Sequence, residues 1–151
     1  HPRLPLSVQR FILKNEKAKY IEFSFEICSE APNYKSNWPS DITVWINGYE
    51  CGTWTSPGDF GDRRGRLNPD WWPSGVTQYG MLKTWRVSKE GIFIDQTKVS
   101  DVDIGTIGLE KKNYISLRIG IKEDAKNVGG VNLFGEKYGD YAQNIVMRID
   151  Y

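Results

Sequence analysis

The sequence predicts an all-β domain: a two-layer antiparallel β-sandwich, jelly-roll-like, with eight or nine strands and one long loop. Three observations carry this. Apolar and polar residues alternate with period two in several short runs, as where Ile21, Phe23, Phe25 and Ile27 interleave with Glu22, Ser24 and Glu26. The runs are separated by Gly, Pro, Asn and Asp, with little helical spacing between them. Asn47-Gly48 stands between two strand-like runs, and Asn-Gly is the preferred centre of a two-residue type I′ hairpin turn. An aromatic content of 13% agrees, since Trp, Tyr and Phe favour strands.

In chain order, "SVQRFIL" supplies an early strand and "YIEFSFEIC" the first clearly alternating one. "DITVWINGYECGTWT" is a hairpin in which Ile46 opposes Tyr49, Val44 opposes Cys51 and Ile42 opposes Thr53. One face of that hairpin is core; the other holds Thr43, Trp45, Glu50, Gly52 and Trp54, because successive side chains on a strand point to opposite sides. "YGMLKTWRV" and "IFID", joined by "SKEG", make a second hairpin. A helical turn is expected in "LEKKN" or "KEDAKN". "YISLRIGIK" turns Ile115, Leu117, Ile119 and Ile121 inward, "GGVNLFG" is a short run between glycines, and "NIVMRIDY" turns Ile145, Met147, Ile149 and Tyr151 inward. The pattern fits one domain spanning residues 1–151, of the galactose-binding-domain-like kind of sandwich, and a chain of this length can hide roughly 70% of its unfolded surface without staples.

Between the two hairpins lies "TSPGDFGDRRGRLNPDWWPSG", which has neither period. Connections longer than about 12 to 15 residues without secondary structure are uncommon, and ordered ones are usually functional. Arg63, Arg64 and Arg66 can pair with Asp59, Asp62 and Asp70 to tie the segment down, while Trp71 and Trp72 either pack beneath it or line a pocket mouth. The readings therefore compete between a self-packed Ω-like loop and a ligand site. For the site, the expected set is Trp45, Glu50, Trp54, Asp59, Arg64, Trp71 and Trp72: indoles stack on the C–H faces of sugar rings, and acidic and guanidinium groups bond hydroxyls.

Charge and residue supply exclude other chemistries. Twenty Lys and Arg against nineteen Asp and Glu leave a formal charge of +1, which provides no overall field for a polyanion. The balanced aspartates weaken a basic-aromatic nucleic-acid platform. No run approaches the roughly 20 apolar residues of a membrane span. Cys28 and Cys51 read as buried free thiols without metal-ligand spacing, which fits a cytoplasmic protein. No metal and no cofactor is expected, since the loop's aspartates lack calcium-loop spacing and its arginines oppose a cation. The sole histidine is His1, so a Ser-His nucleophile is not expected. Glycosidases need two carboxylates about 5 to 9.5 Å apart; Glu22 and Glu26 share a face but stand about 13 Å apart and read as solvated. Glu50 with Asp59 or Asp70 is the remaining pair. The expectation is no enzyme.

The series "VWING", "GTWTSPGDFGDRRGRLNPDWW", "TQYGMLKTW", "LRIGIKEDAKNVGGVNLFG" and "YGDYAQNIVMRIDY" resembles the C-terminal domain joined to an ArsR-like winged-helix DNA-binding domain in a group of Firmicutes transcriptional regulators. The match runs from about Tyr20 to Tyr151. The resemblance implies a cytoplasmic β-sandwich effector or sensor domain, with DNA bound only through the N-terminal domain. The opening "HPRLP", without Met, reads as a fragment or a processed product, and with the resemblance as a C-terminal fragment lacking that domain. The expected partner is a small molecule, a carbohydrate or something similarly polar; a homodimer would suit the same pattern. A stand-alone carbohydrate-binding module and a glycosidase-like enzyme are the alternatives.

Overall fold

The structure, a computed structural model, describes the backbone of residues 4–8 and all of residues 17–151. Ten strands are found among them: β1 (Leu4–Val8), β2 (Tyr20–Cys28), β3 (Ser40–Ile46), β4 (Tyr49–Ser56), β5 (Met81–Ser88), β6 (Gly91–Ile94), β7 (Thr97–Ser100), β8 (Ile115–Ile121), β9 (Asn132–Leu133) and β10 (Val146–Asp150). One helical turn, α1 (Ile104–Ile107), and a 3-10 turn (Leu109–Lys111) precede β8. The latter falls in "LEKKN", as expected. The early strand overlaps "SVQRFIL" only at Ser7 and Val8; residues 9–13 of that run lie outside the described ones.

Every pairing is antiparallel. Sheet A has the order β1-β8-β3-β4 and sheet B the order β10-β2-β5-β6-β7, with β9 also paired to β2. The sheets face each other as a sandwich, and the alternating residues supply its core: Ile42, Val44, Ile46, Ile115, Leu117 and Ile119 from one side, Ile21, Phe23, Phe25, Ile27, Trp85 and Val87 from the other. Ile145, Met147 and Ile149 pack against that core, as the period-two reading predicts. Cys28 and Cys51 are buried free thiols, each pushed up to about 12 chiefly by burial, so neither is a thiolate at neutral pH. No helix among the described residues is long and apolar enough to cross a membrane.

The β3–β4 hairpin departs from its predicted register. The turn forms as expected, with Asn47 at φ 47° and Gly48 at φ 85°, and Ile46 opposes Tyr49. Trp45 then opposes Glu50, but Thr43 opposes Thr53 and Ile42 opposes Trp54 rather than Thr53. Val44 therefore faces both Cys51 and Gly52, a β-bulge that adds one residue to β4. Beyond it every β4 side chain changes face, so Trp54 points inward with Ile42 and packs against the core while Trp45 stays outside. Gly52 makes the bulge feasible: its φ is 95°, and a Cβ there would lie 2.6 Å from Val99 Cγ2. Gly52→Ala is expected to cost about 2 kcal/mol, visible as a lower denaturant midpoint at constant m-value.

Candidate functional site

Residues 57–80 cross the end of the sandwich opposite the Asn47-Gly48 turn. Their base is sewn to the segment after β2: the Ser29 amide donates to the Gly58 carbonyl at 3.0 Å, the Trp38 amide to that of Pro57 at 2.9 Å, and the Ala31 amide to Asp59 Oδ2 at 2.9 Å. Asp59 is wholly buried; its Oδ2 also accepts the Thr77 hydroxyl at 2.9 Å, and its Oδ1 meets no donor among the described residues. Burial raises this carboxyl above the usual carboxylate range, and the two hydrogen bonds only partly offset it. Asp59 is a fastening inside the loop base, beyond the reach of a ligand.

Higher in the loop, amides do the holding. Asn68 Nδ2 donates to the Gln78 carbonyl and to Gln78 Oε1, both at 2.8 Å, Gln78 Nε2 donates to the Pro73 carbonyl at 2.8 Å, and the Gly65 amide donates to Gln78 Oε1 at 3.1 Å. Around this network Arg64 donates to the carbonyls of Pro69 (2.8 Å) and Trp72 (3.3 Å), and Trp72 Nε1 donates to the Thr77 carbonyl at 3.0 Å. The expected Arg–Asp pairing inside the loop does not form, because these carbonyls, the Tyr79 hydroxyl on Asp62 and a distant carboxylate are better placed.

That carboxylate belongs to Asp140. β9 and β10 pair with the same edge of β2, at Ile27–Cys28 and Tyr20–Ser24 respectively, and residues 134–145 make an excursion between them. Glu26 stands at the gap, wholly buried, so its reading as a solvated residue is corrected: alternation assigned its face, and the excursion covers that face. Its carboxylate accepts the amides of Gly80 (2.8 Å), Asp140 (3.0 Å to the nearer oxygen) and Tyr141 (3.1 Å). Arg63 then clamps Asp140 through two bonds of 2.9 and 2.6 Å while lying 3.7 Å from the centre of the Tyr79 ring. The Arg63 fork holds the Asp140 carboxyl below its ordinary range. The Gly139 amide donates to Asn68 Oδ1 at 2.7 Å, and the Leu67 amide to the Gly139 carbonyl at 2.8 Å.

The two segments so joined present an aromatic platform. Tyr138 lies 4.8 Å from Trp72 and meets Trp71 edge-on at 6.3 Å, and the two indoles are 5.8 Å apart. Trp71 is 69% exposed. A large ring is thus left in water on a heavily bonded support.

Of the residues expected to form a site, Arg64, Trp71 and Trp72 come together here. Trp45 and Glu50 do not: they face outward beside the hairpin turn, six residues or about 20 Å of strand away from the loop, with Arg118 5.8 Å from the Trp45 ring and Lys122 bonded to Glu50 at 3.0 Å. Trp54 lies on the inner face, with Lys83 Nζ 4.8 Å from its ring. Glu50 and Asp59 are thus not a facing acid pair. Sequence reasoning missed Tyr138, Asp140 and Glu26, whose partners Trp72, Arg63 and Gly80 are all distant from them in the chain. Among the described residues no group of three or more His, Cys, Asp or Glu is placed to hold a metal ion. Comparison with known proteins finds no match to a family model, a curated protein or a solved structure.

Proposed function

We propose that this chain is a non-catalytic ligand-recognition domain, the effector module of a bacterial transcriptional regulator, and that its platform of Trp71, Trp72 and Tyr138 receives a carbohydrate or similarly polar small molecule. The exposure of Trp71 on a fixed aromatic support carries the reading. A sugar ring can lay its C–H face on that indole, and the support costs no ordering when the ligand arrives. The regulator half of the proposal rests on the sequence resemblance, with DNA contact assigned to a winged-helix domain joined to this one. A ligand then changes operator affinity only by binding two states of the regulator unequally.

Titration of a sugar panel followed by tryptophan fluorescence tests the platform. Trp71→Ala is expected to weaken the best ligand at least tenfold while leaving stability within about 0.5 kcal/mol, because an exposed ring contributes little to the fold. Unchanged affinity in both Trp71→Ala and Trp72→Ala would remove the platform from the site.

A further inference from the structure

The outer face of sheet B carries a feature that the platform does not use. Arg148, Glu22, Arg86 and Phe93 stand side by side across β10, β2, β5 and β6. Glu22 accepts Arg86 Nε at 3.1 Å and is ion-paired with Arg148 Nη1 at 3.3 Å, and the Arg86 guanidinium lies 3.9 Å from the centre of the Tyr20 ring. Arg86 is thereby held flat by an acid on one edge and an aromatic ring on one face. On either side of the Glu22–Arg86 pair the surface sinks. One hollow, of about 460 Å³, is lined by Arg86, Ser88, Glu90, Phe93, Asp95 and Gln96. The other, of about 270 Å³, is lined by Glu22, Ser24, Thr84, Gln143, Val146 and Arg148.

We infer that these two hollows form one groove that binds a linear, neutral oligosaccharide across the strands. The chemistry of the lining selects this class. Glu90 opposes an anion in the larger hollow, where Asp95 is already paired with Lys83 at 2.6 Å, and Arg86 and Arg148 oppose a cation along the groove. Phe93 and Val146 are its only apolar side chains among the described residues, too few for a hydrophobic ligand. Hydrogen-bonding capacity remains unused there: the terminal nitrogens of Arg86, the Gln96 amide and Glu90 Oε1 bond to no described residue, while Glu90 Oε2 takes only the Ser88 hydroxyl, at 3.0 Å. Donors and acceptors of both kinds around one phenyl ring match vicinal hydroxyls above an apolar sugar face. Length follows from the sheet. From β10 to β6 is three strand spacings, about 14 Å, more than one sugar ring spans, so a chain of linked rings fills both hollows and a monosaccharide fills one.

The test is a titration of the isotope-labelled domain with glucose, maltotriose, cellotriose, mannotriose, xylotriose and glucuronate, read by amide chemical shifts. At least one neutral trisaccharide is expected to give saturable shifts at Phe93 and Gln96, with glucose at least tenfold weaker and glucuronate weaker than its neutral counterpart. Phe93→Ala should reduce that affinity at least tenfold and the exposed Gln96→Ala at least threefold, whereas Trp71→Ala leaves it intact. Absence of saturable shifts at these positions with every trisaccharide, or a preference for glucuronate, overturns the groove. Shifts confined to the surroundings of Trp71 overturn it too while supporting the platform, so the two sites fail separately.

Discussion

Glu26→Ala is expected to destabilise the fold by about 4 kcal/mol, lowering Tm by roughly 12 °C, because it strands three backbone N–H groups around a buried position. Gly80, Asp140 and Tyr141 all donate to this carboxylate, and a Cβ on Gly139 would lie 2.6 Å from Glu26 Oε1, so the fit leaves no slack for a substitute. Glu26→Gln keeps the shape but turns amide hydrogens toward amide hydrogens, and should cost about 2 kcal/mol. Thermal and denaturant unfolding give the ranking, and fluorescence of the Trp71–Trp72 pair reports whether the 134–145 excursion has lifted. A loss below about 1 kcal/mol in the alanine variant would show that the carboxylate does not organise the loops.

Trp85→Ala should cost a similar amount, about 4 kcal/mol, by opening a large cavity where an unexposed indole stacks on Phe25 at 5.4 Å. Trp85→Phe makes the sharper comparison. Nε1 of Trp85 is buried with no acceptor among the described residues, so the smaller ring removes an unsatisfied donor along with the packing it forfeits. Its cost is expected to be about 1.5 kcal/mol or less, and denaturant midpoints of the two variants distinguish packing from hydrogen bonding at that position.

These two residues also mark how far the sequence could be read. Strands announced themselves wherever one face was core and the other wet, which is why β10, β2 as far as Phe25 and β8 as far as Ile119 match their alternation. β7 escaped because Thr97, Lys98 and Val99 are all exposed at a sheet edge and show no contrast. Periodicity assigned Glu26 to the correct face but says nothing about which later segment covers that face. The long loop was legible as a candidate site by its length and its paired indoles; the part of Tyr138 beside them was not, since a contact across more than sixty residues leaves no local trace. The bulge was hidden in the same way: Gly52 read as one more position on the outer face of the hairpin, whereas its backbone angle shifts the register of half of it.

That bulge also bears on how the chain finds its shape. Asn47, Gly48 and Gly52 carry φ values of 47°, 85° and 95°, so the hairpin contains two left-handed points at a fixed separation. Sliding β4 past β3 by one position would force Cys51 or Thr53 into a conformation that costs an L-residue about 1 to 2 kcal/mol, and would turn Cys51 out into solvent. Misaligned hairpins are therefore penalised locally, before the second layer exists to reject them, and the growing sheet inherits an alignment already proofread.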